Sequence, residues 1–188
     1  MLSSQSLMFK FQKVIKILFL FFLFCFNIFS SIAQTAEDVP LNNMAINEFP
    51  KPISSLIFED FLGNEINLND YHGKLVIINF WATWCAPCKR EMPSLDRFYR
   101  DNNFKNLQIF AVNMEQPNTL KTKKFFTDLN IKKLEIFFDR NLNFVKEFKL
   151  RGMPTTVLIN KKGEEFARII GEVNFQDEKF LKWLSKYD

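Results

Sequence analysis

Histidine is nearly missing from this sequence. His72 is the only one, and the only cysteines are Cys25, Cys85 and Cys88. Tetrahedral zinc wants four nitrogen or sulfur ligands, and one histidine with a single close cysteine pair argues against a closed zinc site. Acid is missing from residues 1–33, which carry Lys10, Lys13 and Lys16. Setting those three lysines aside leaves 22 basic and 21 acidic side chains over the rest of the chain. The formal net charge of +4 therefore belongs mostly to the N-terminal segment, and nothing in the charge pattern makes a footprint for nucleic acid. Internal repeats and low-complexity tracts are absent too. A long uninterrupted apolar run is also lacking: Ile17 to Phe26 falls short of the ~20 residues that cross a bilayer comfortably.

That short run sits in a leader-like setting. Lysines precede it, a polar stretch follows, and Ser31-Ile32-Ala33 offers small residues where a signal peptidase cuts, with Gln34 as the mature start. A cleaved signal peptide and a retained N-terminal membrane anchor, extended from Val14 to Ile32, both place the rest of the chain outside the cytoplasm, because the lysines stay inside. A core helix of a cytosolic protein is the remaining alternative. Phe24, where a lipoprotein signal has a small residue, argues against lipidation of Cys25, which reads as one apolar side chain among others. The domain organisation expected is residues 1–33 as signal or anchor, 34–52 as a polar, proline-punctuated linker, and 53–188 as the folded domain.

Within 53–188, "SSLIFEDFLGNEINL" predicts a hairpin about a Gly63-Asn64 turn. "KLVIINFWA" predicts a strand covered on both faces. From Ala86 to about Asn102 the apolar stripe of Met92, Leu95, Phe98 and Tyr99 predicts a helix, interrupted and kinked at Pro93. Beyond it, "LQIFAVNM", "LEIFFD", "TTVLIN" and "EEFARIIG" read as strands, and "TLKTKKFFTDLNI", "NLNFVKEFKL" and "FQDEKFLKWLSKY" as helices. The expectation is an α/β domain with helices on both faces of a sheet, a mainly parallel centre and an antiparallel edge.

"NFWATWCAPCKREMP" carries the chemistry. Once the leader is set aside, Cys85 and Cys88 are the only thiols, and a ring this small contributes little as a structural staple. Two thiolates could hold Cu(I), which prefers soft ligands, so a Cu(I)-delivery module is one reading. The other is redox chemistry, favoured by the position of the pair after a buried strand and at the start of a helix. There the unpaired N–H groups and the positive end of the helix dipole stabilise a thiolate and lower its pKa. Cys85 would stand at the exposed entrance as nucleophile, with Cys88 shielded one turn further in as the resolving thiol. Pro87 suits the first turn, where its missing N–H costs nothing.

The stretch resembles the thioredoxin superfamily, specifically its exported TlpA/ResA-like thiol–disulfide oxidoreductases. "YHGKLVIINFWATWCAPC", "LRGMPTTVLINKKGE" and "IIGEVNF" each match that family, over roughly residues 54–187. The resemblance implies a thioredoxin fold with a central mixed sheet and an N-terminal hairpin. It implies that Pro154 is a cis-proline facing the cysteine pair and that Met153 lines, with Trp84 and Pro87, the groove for a partner's chain. No cofactor and no metal is implied. Partners would be disulfide-bearing client proteins and a membrane thiol-electron donor, with membrane contact through the N-terminal segment if it stays uncleaved, in the periplasm or on the outer face of the inner membrane. Clients in cytochrome c or cytochrome oxidase assembly are suggested, although the cytochrome c branch usually has glutamate where this chain has Thr155.

Other departures bear on the proton. Cytosolic thioredoxins carry a buried aspartate where this chain has Asn79, which cannot accept a proton. The family's alternative acid, three residues after the second cysteine, is Glu91, on the same helix side as Cys88 and a candidate proton acceptor if burial raises its pKa; the alternative is a solvated first-turn glutamate. Trp81 reads as core, Lys89 and Arg90 as a solvated helix face, and His72 as a surface-loop residue. No histidine lies inside the C-x-x-C, which tilts the reading toward a reductant over a disulfide-introducing oxidase. The Pro-x-x-x-Thr-x-x-Cys pattern of peroxiredoxins is absent around Cys85.

Overall fold

The structure is a computed structural model that describes residues 15–16 and 39–188. The candidate signal or anchor of 1–33 lies almost wholly outside the described residues. Among the described residues no helix is long and apolar enough to cross a membrane. Residues Val39–Asp188 form one compact unit.

Its organising element is β4 (Leu75–Trp81), buried at every position. Side chains alternate across a strand, so Leu75, Ile77 and Trp81 join one apolar layer while Val76, Ile78 and Phe80 join the other. Eight strands make a single sheet in the order β1-β8-β7-β4-β5-β6-β2-β3. They are β1 (Met44–Pro52), β2 (Ile57–Asp60), β3 (Glu65–Asn67), β4, β5 (Leu107–Asn113), β6 (Ile136–Phe138), β7 (Thr155–Ile159) and β8 (Glu164–Ile170). Helices α1 (Ala86–Asp101), α2 (Thr119–Asp128) and α4 (Glu178–Leu184) contribute Met92, Leu95, Phe125, Phe126, Phe180 and Trp183 to the first layer. Helix α3 (Asn143–Phe148) covers the other face with Phe144 and Phe148, which meet Phe58 and Phe80. Phe58 and Phe110 meet edge-on there, at 5.0 Å and 81°, an arrangement favoured by the aromatic quadrupole.

The predicted hairpin forms as β2 and β3 and adds to the sheet through β6. Asp60 closes its turn, accepting hydrogen bonds from the Leu62 and Asn64 amides at 2.8 and 2.9 Å, and Gly63 supplies the required φ of 88°. Three expectations are corrected. Residues 44–52, read as part of a linker, form the edge strand β1, antiparallel to β8. Its side chains are mostly exposed, so it lacks the apolar alternation that marks a strand, and its prolines are tolerated because an edge leaves one row of N–H groups unused. The sheet centre is less parallel than expected: only β4–β5 and β5–β6 run parallel, while β4–β7 is antiparallel. Helix α1 runs through Pro93 as one sixteen-residue element.

Candidate active site around Cys85 and Cys88

The chain leaves β4 at Trp81, makes a tight turn and enters α1. Cys85 occupies the N-cap position of α1, with Ala86 and Pro87 opening the first turn. Its sulfur accepts the Cys88 backbone N–H at 3.2 Å, so one of the unpaired amides at the helix start points at the sulfur that would carry negative charge. Cys85 and Cys88 are joined by a disulfide, with Cα atoms 5.3 Å apart. The expected contrast in exposure is small: Cys85 is 3% accessible and Cys88 0%. As a cap tucked under the helix start, Cys85 belongs to the apolar layer; it is not an open entrance. Trp84 beside it is the exposed residue, at 65%, and borders a shallow cavity of about 300 Å³ lined also by Lys89, Phe125 and Leu129.

Immediately before β7, the Met153–Pro154 peptide bond is cis. The Thr155 hydroxyl donates to the Gly152 carbonyl at 2.8 Å, and the Pro154 carbonyl accepts the Gly171 amide at 2.9 Å, bracing this loop on both sides. Met153 is half-buried and packs against the apolar layer that holds both cysteines.

Glu91, one turn past Cys88 on α1, is buried at 2% exposure. Its Oε1 accepts from Asn79 Nδ2 at 2.8 Å and its Oε2 from the Val173 amide at 3.0 Å. Burial pushes its pKa up to about 7. The hydrogen bonds from Asn79 and Val173 oppose the rise, and the nearby Glu172 charge adds to it. The solvated alternative for this residue is set aside by that burial. Asn79 reaches it because alternation along β4 turns it to the same side as Ile77 and Trp81, toward α1. Trp81 is fully buried and stacks on Phe125 at 4.6 Å. Lys89, Arg90 and His72 are exposed, and Arg90 pairs with Glu172 at 2.5 Å.

Two residues that the sequence reading did not single out shape the site, and a third ties its helix to a distant segment. Thr156 lies directly opposite Asn79 in the β4–β7 register and accepts from its Nδ2 at 3.0 Å. Glu115 holds the turn before Cys85, accepting from the Thr83 amide at 2.5 Å, the Thr83 hydroxyl at 3.0 Å and Lys121 Nζ at 2.6 Å. Burial pushes the Glu115 carboxyl up, but those donors outweigh it and hold it below its ordinary value. Asp96, buried in α1, accepts the amides of Lys132, Lys133 and Leu134 at 3.1, 2.6 and 3.0 Å. The available signal was polar residues at core-facing positions of otherwise apolar elements. Among the described residues, no group of three or more His, Cys, Asp or Glu is placed to hold a metal ion.

Residues 47–164 match the AhpC/TSA family. The thiol-disulfide oxidoreductase ResA of Halalkalibacterium halodurans is 37% identical over 110 residues, 58% of this chain and 61% of that protein. The ResA of Bacillus thuringiensis subsp. konkukian is 32% identical over 136 residues, 72% of this chain and 78% of that protein. The chain belongs to the AhpC/TSA family, on its ResA-like thiol–disulfide oxidoreductase branch. The crystal structure of StoA from Bacillus subtilis has the same fold, with a TM-score of 0.60 and 25% identity over 71% of this chain and 99% of that one. The ResA-like chain thus has the thioredoxin fold expected from its motifs, with the cysteine pair at the junction of β4 and α1.

Proposed function

We propose that this protein is an exported dithiol reductant that opens disulfides in partner proteins through Cys85 and Cys88. The observation that supports it most is the Cys85 sulfur at the head of α1, receiving the Cys88 amide, with a buried glutamate one turn beyond Cys88 on the same helix. In the reduced protein, the Cys85 thiolate attacks one sulfur of a client disulfide, forming a mixed disulfide and expelling the other client sulfur as thiolate. Cys88 then gives its proton to the Glu91 carboxylate and attacks Cys85 Sγ. The second client thiolate leaves, and the Cys85–Cys88 disulfide remains. Two electrons pass to the client, and a membrane thiol donor restores the dithiol. The loop of Met153 and Pro154, with Trp84 and Pro87, forms the groove for the client chain.

The leader sequence supports a location in the periplasm or on the outer face of the inner membrane, whether it is cleaved or kept as an anchor. The motif resemblance points to clients in cytochrome assembly, and Thr155 in place of glutamate leaves the client to be identified by capture. The test is Cys88→Ser, which leaves the mixed disulfide unresolved. Clients are expected to accumulate covalently on Cys85 and to be released by dithiothreitol. Recovery of no adducts from cells expressing this variant contradicts the reading. Export is tested separately with alkaline phosphatase fused after residue 38, which is expected to be active; an inactive fusion removes the export claim.

A further inference from the structure

The side chain of Asn79 makes two hydrogen bonds, both as donor. One N–H of Nδ2 goes to Glu91 Oε1 at 2.8 Å and the other to Thr156 Oγ1 at 3.0 Å. All three residues are buried, Asn79 and Thr156 completely. The Asn79 Oδ1 atom is buried and has no partner among the described residues. This arrangement suits one protonation state of Glu91. A carboxylate only accepts, and here it accepts from Asn79 on one oxygen and from Val173 on the other.

A protonated Glu91 must donate one O–H. Val173 presents a backbone amide that can only donate, so the proton belongs on Oε1, facing Asn79. With Nδ2 there, two donors would oppose each other in a place without solvent, at a cost of the kind paid by any buried unmatched polar group. Half a turn of the Asn79 amide removes the conflict. Oδ1 then accepts from Glu91 Oε1–H and from the Thr156 hydroxyl, since a hydroxyl that accepts in one arrangement can donate in the other. The amide nitrogen moves to the site where Oδ1 now has no partner, so the unpaired group is a carbonyl oxygen in one arrangement and an NH2 in the other.

We propose that Asn79 and Thr156 are positioning residues forming a reversible hydrogen-bond relay, donating to Glu91 when it is charged and accepting from it when it is protonated. Glu91 then keeps a partner throughout a proton-transfer cycle without leaving its buried place. The inference rests on the reading of Glu91 as the acceptor of the Cys88 proton. Among the described residues, the groups that act on Glu91 are Asn79 from β4, Thr156 from β7 through Asn79, and, from the segment after β8, the Val173 amide with the Glu172 charge, itself paired to Arg90; Cys88 precedes it by one turn on α1. The elevated Glu91 pKa is consistent with both states being visited near neutral pH.

The test is an NMR titration of the oxidised full-length protein between pH 5 and 9, following the Glu91 carboxyl carbon and the Asn79 side-chain NH2. The NH2 protons should change their nuclear Overhauser contacts, from the Glu91 and Thr156 side to the opposite side, with the midpoint at which Glu91 titrates. Asn79→Leu removes a partner of both states, the donor to the charged carboxyl and the acceptor from the protonated one. It should therefore raise that midpoint by less than one unit, a tenfold change in proton affinity, because only the excess strength of the charge-assisted bond is lost. An Asn79 amide that keeps the same contacts while Glu91 titrates overturns the relay, and so does a Glu91 that holds one protonation state across the range. The wild-type titration decides the matter even if Asn79→Leu does not fold. Should the amide turn over while Glu91→Gln leaves mixed-disulfide resolution unchanged, the relay stands and the proton-acceptor reading falls.

Discussion

A glutamate on the buried face of α1 with two hydrogen-bond donors retains its proton to about pH 7, whereas in the unfolded chain it ionises near pH 4.5. Between those values the folded protein binds a proton that the unfolded protein has released, so this residue's contribution to stability is complete below about pH 4.5 and is lost as the pH rises through 7. The total loss is about 3 kcal/mol, or roughly 6–12 °C in melting temperature for a domain of this size. Thermal melts of the oxidised protein at pH 5 and 8 should show that loss, and Glu91→Gln should abolish most of it; an equal drop in the variant would show that another group is responsible. The same substitution should slow resolution of a trapped mixed disulfide by ~10²-fold, the usual scale of a positioned base, and flatten its pH dependence near neutrality, measured by stopped-flow release of a model thiol. The Cys85–Cys88 pair stood out in the sequence through its spacing and its place after a buried strand, whereas Glu91 and Pro154 were singled out by the resemblance to a known family. Thr156, Glu115 and Asp96 were not, because their partners are set by sheet register and tertiary packing, distant along the chain.

Each element shows a different balance between pattern and context. Strand β4 was plain because a strand covered on both faces is apolar throughout. Strand β1 was hidden, since an exposed edge strand with prolines reads like a linker, and only its pairing with β8 defines it. Removing residues 1–52 should therefore lower the melting temperature and speed amide exchange along β8 relative to removing 1–38; equal behaviour of the two truncations would make β1 dispensable. Helix α1 is tied to the segment after α2 by Asp96, whose Oδ1 accepts three consecutive amides. Asp96→Ala leaves those amides without that acceptor, at a cost of about 3 kcal/mol. Because Asp96 sits apart from the sulfur chemistry, the variant should melt lower yet keep the wild-type redox potential, read by equilibration with glutathione. A shifted potential would mean that the segment it holds acts on the cysteines.

Across the whole molecule, the near balance of charge outside residues 1–33 leaves recognition to the surface around the cysteines and not to a long-range field. The family, the sheet order and the disulfide define what kind of redox protein this is, while the direction of electron flow depends on the relative stability of the dithiol and the disulfide. With alanine and proline between the cysteines and no histidine to stabilise the thiolate further, the dithiol form should be a good donor. The measurement that tests this most directly is the midpoint potential of the Cys85–Cys88 couple, obtained by equilibrating the purified protein with dithiothreitol buffers at pH 7 and counting free thiols. The expected value lies nearer that of thioredoxin, about −270 mV, than that of DsbA, about −120 mV. A potential close to the DsbA value would contradict it and make the protein an oxidant of its partners.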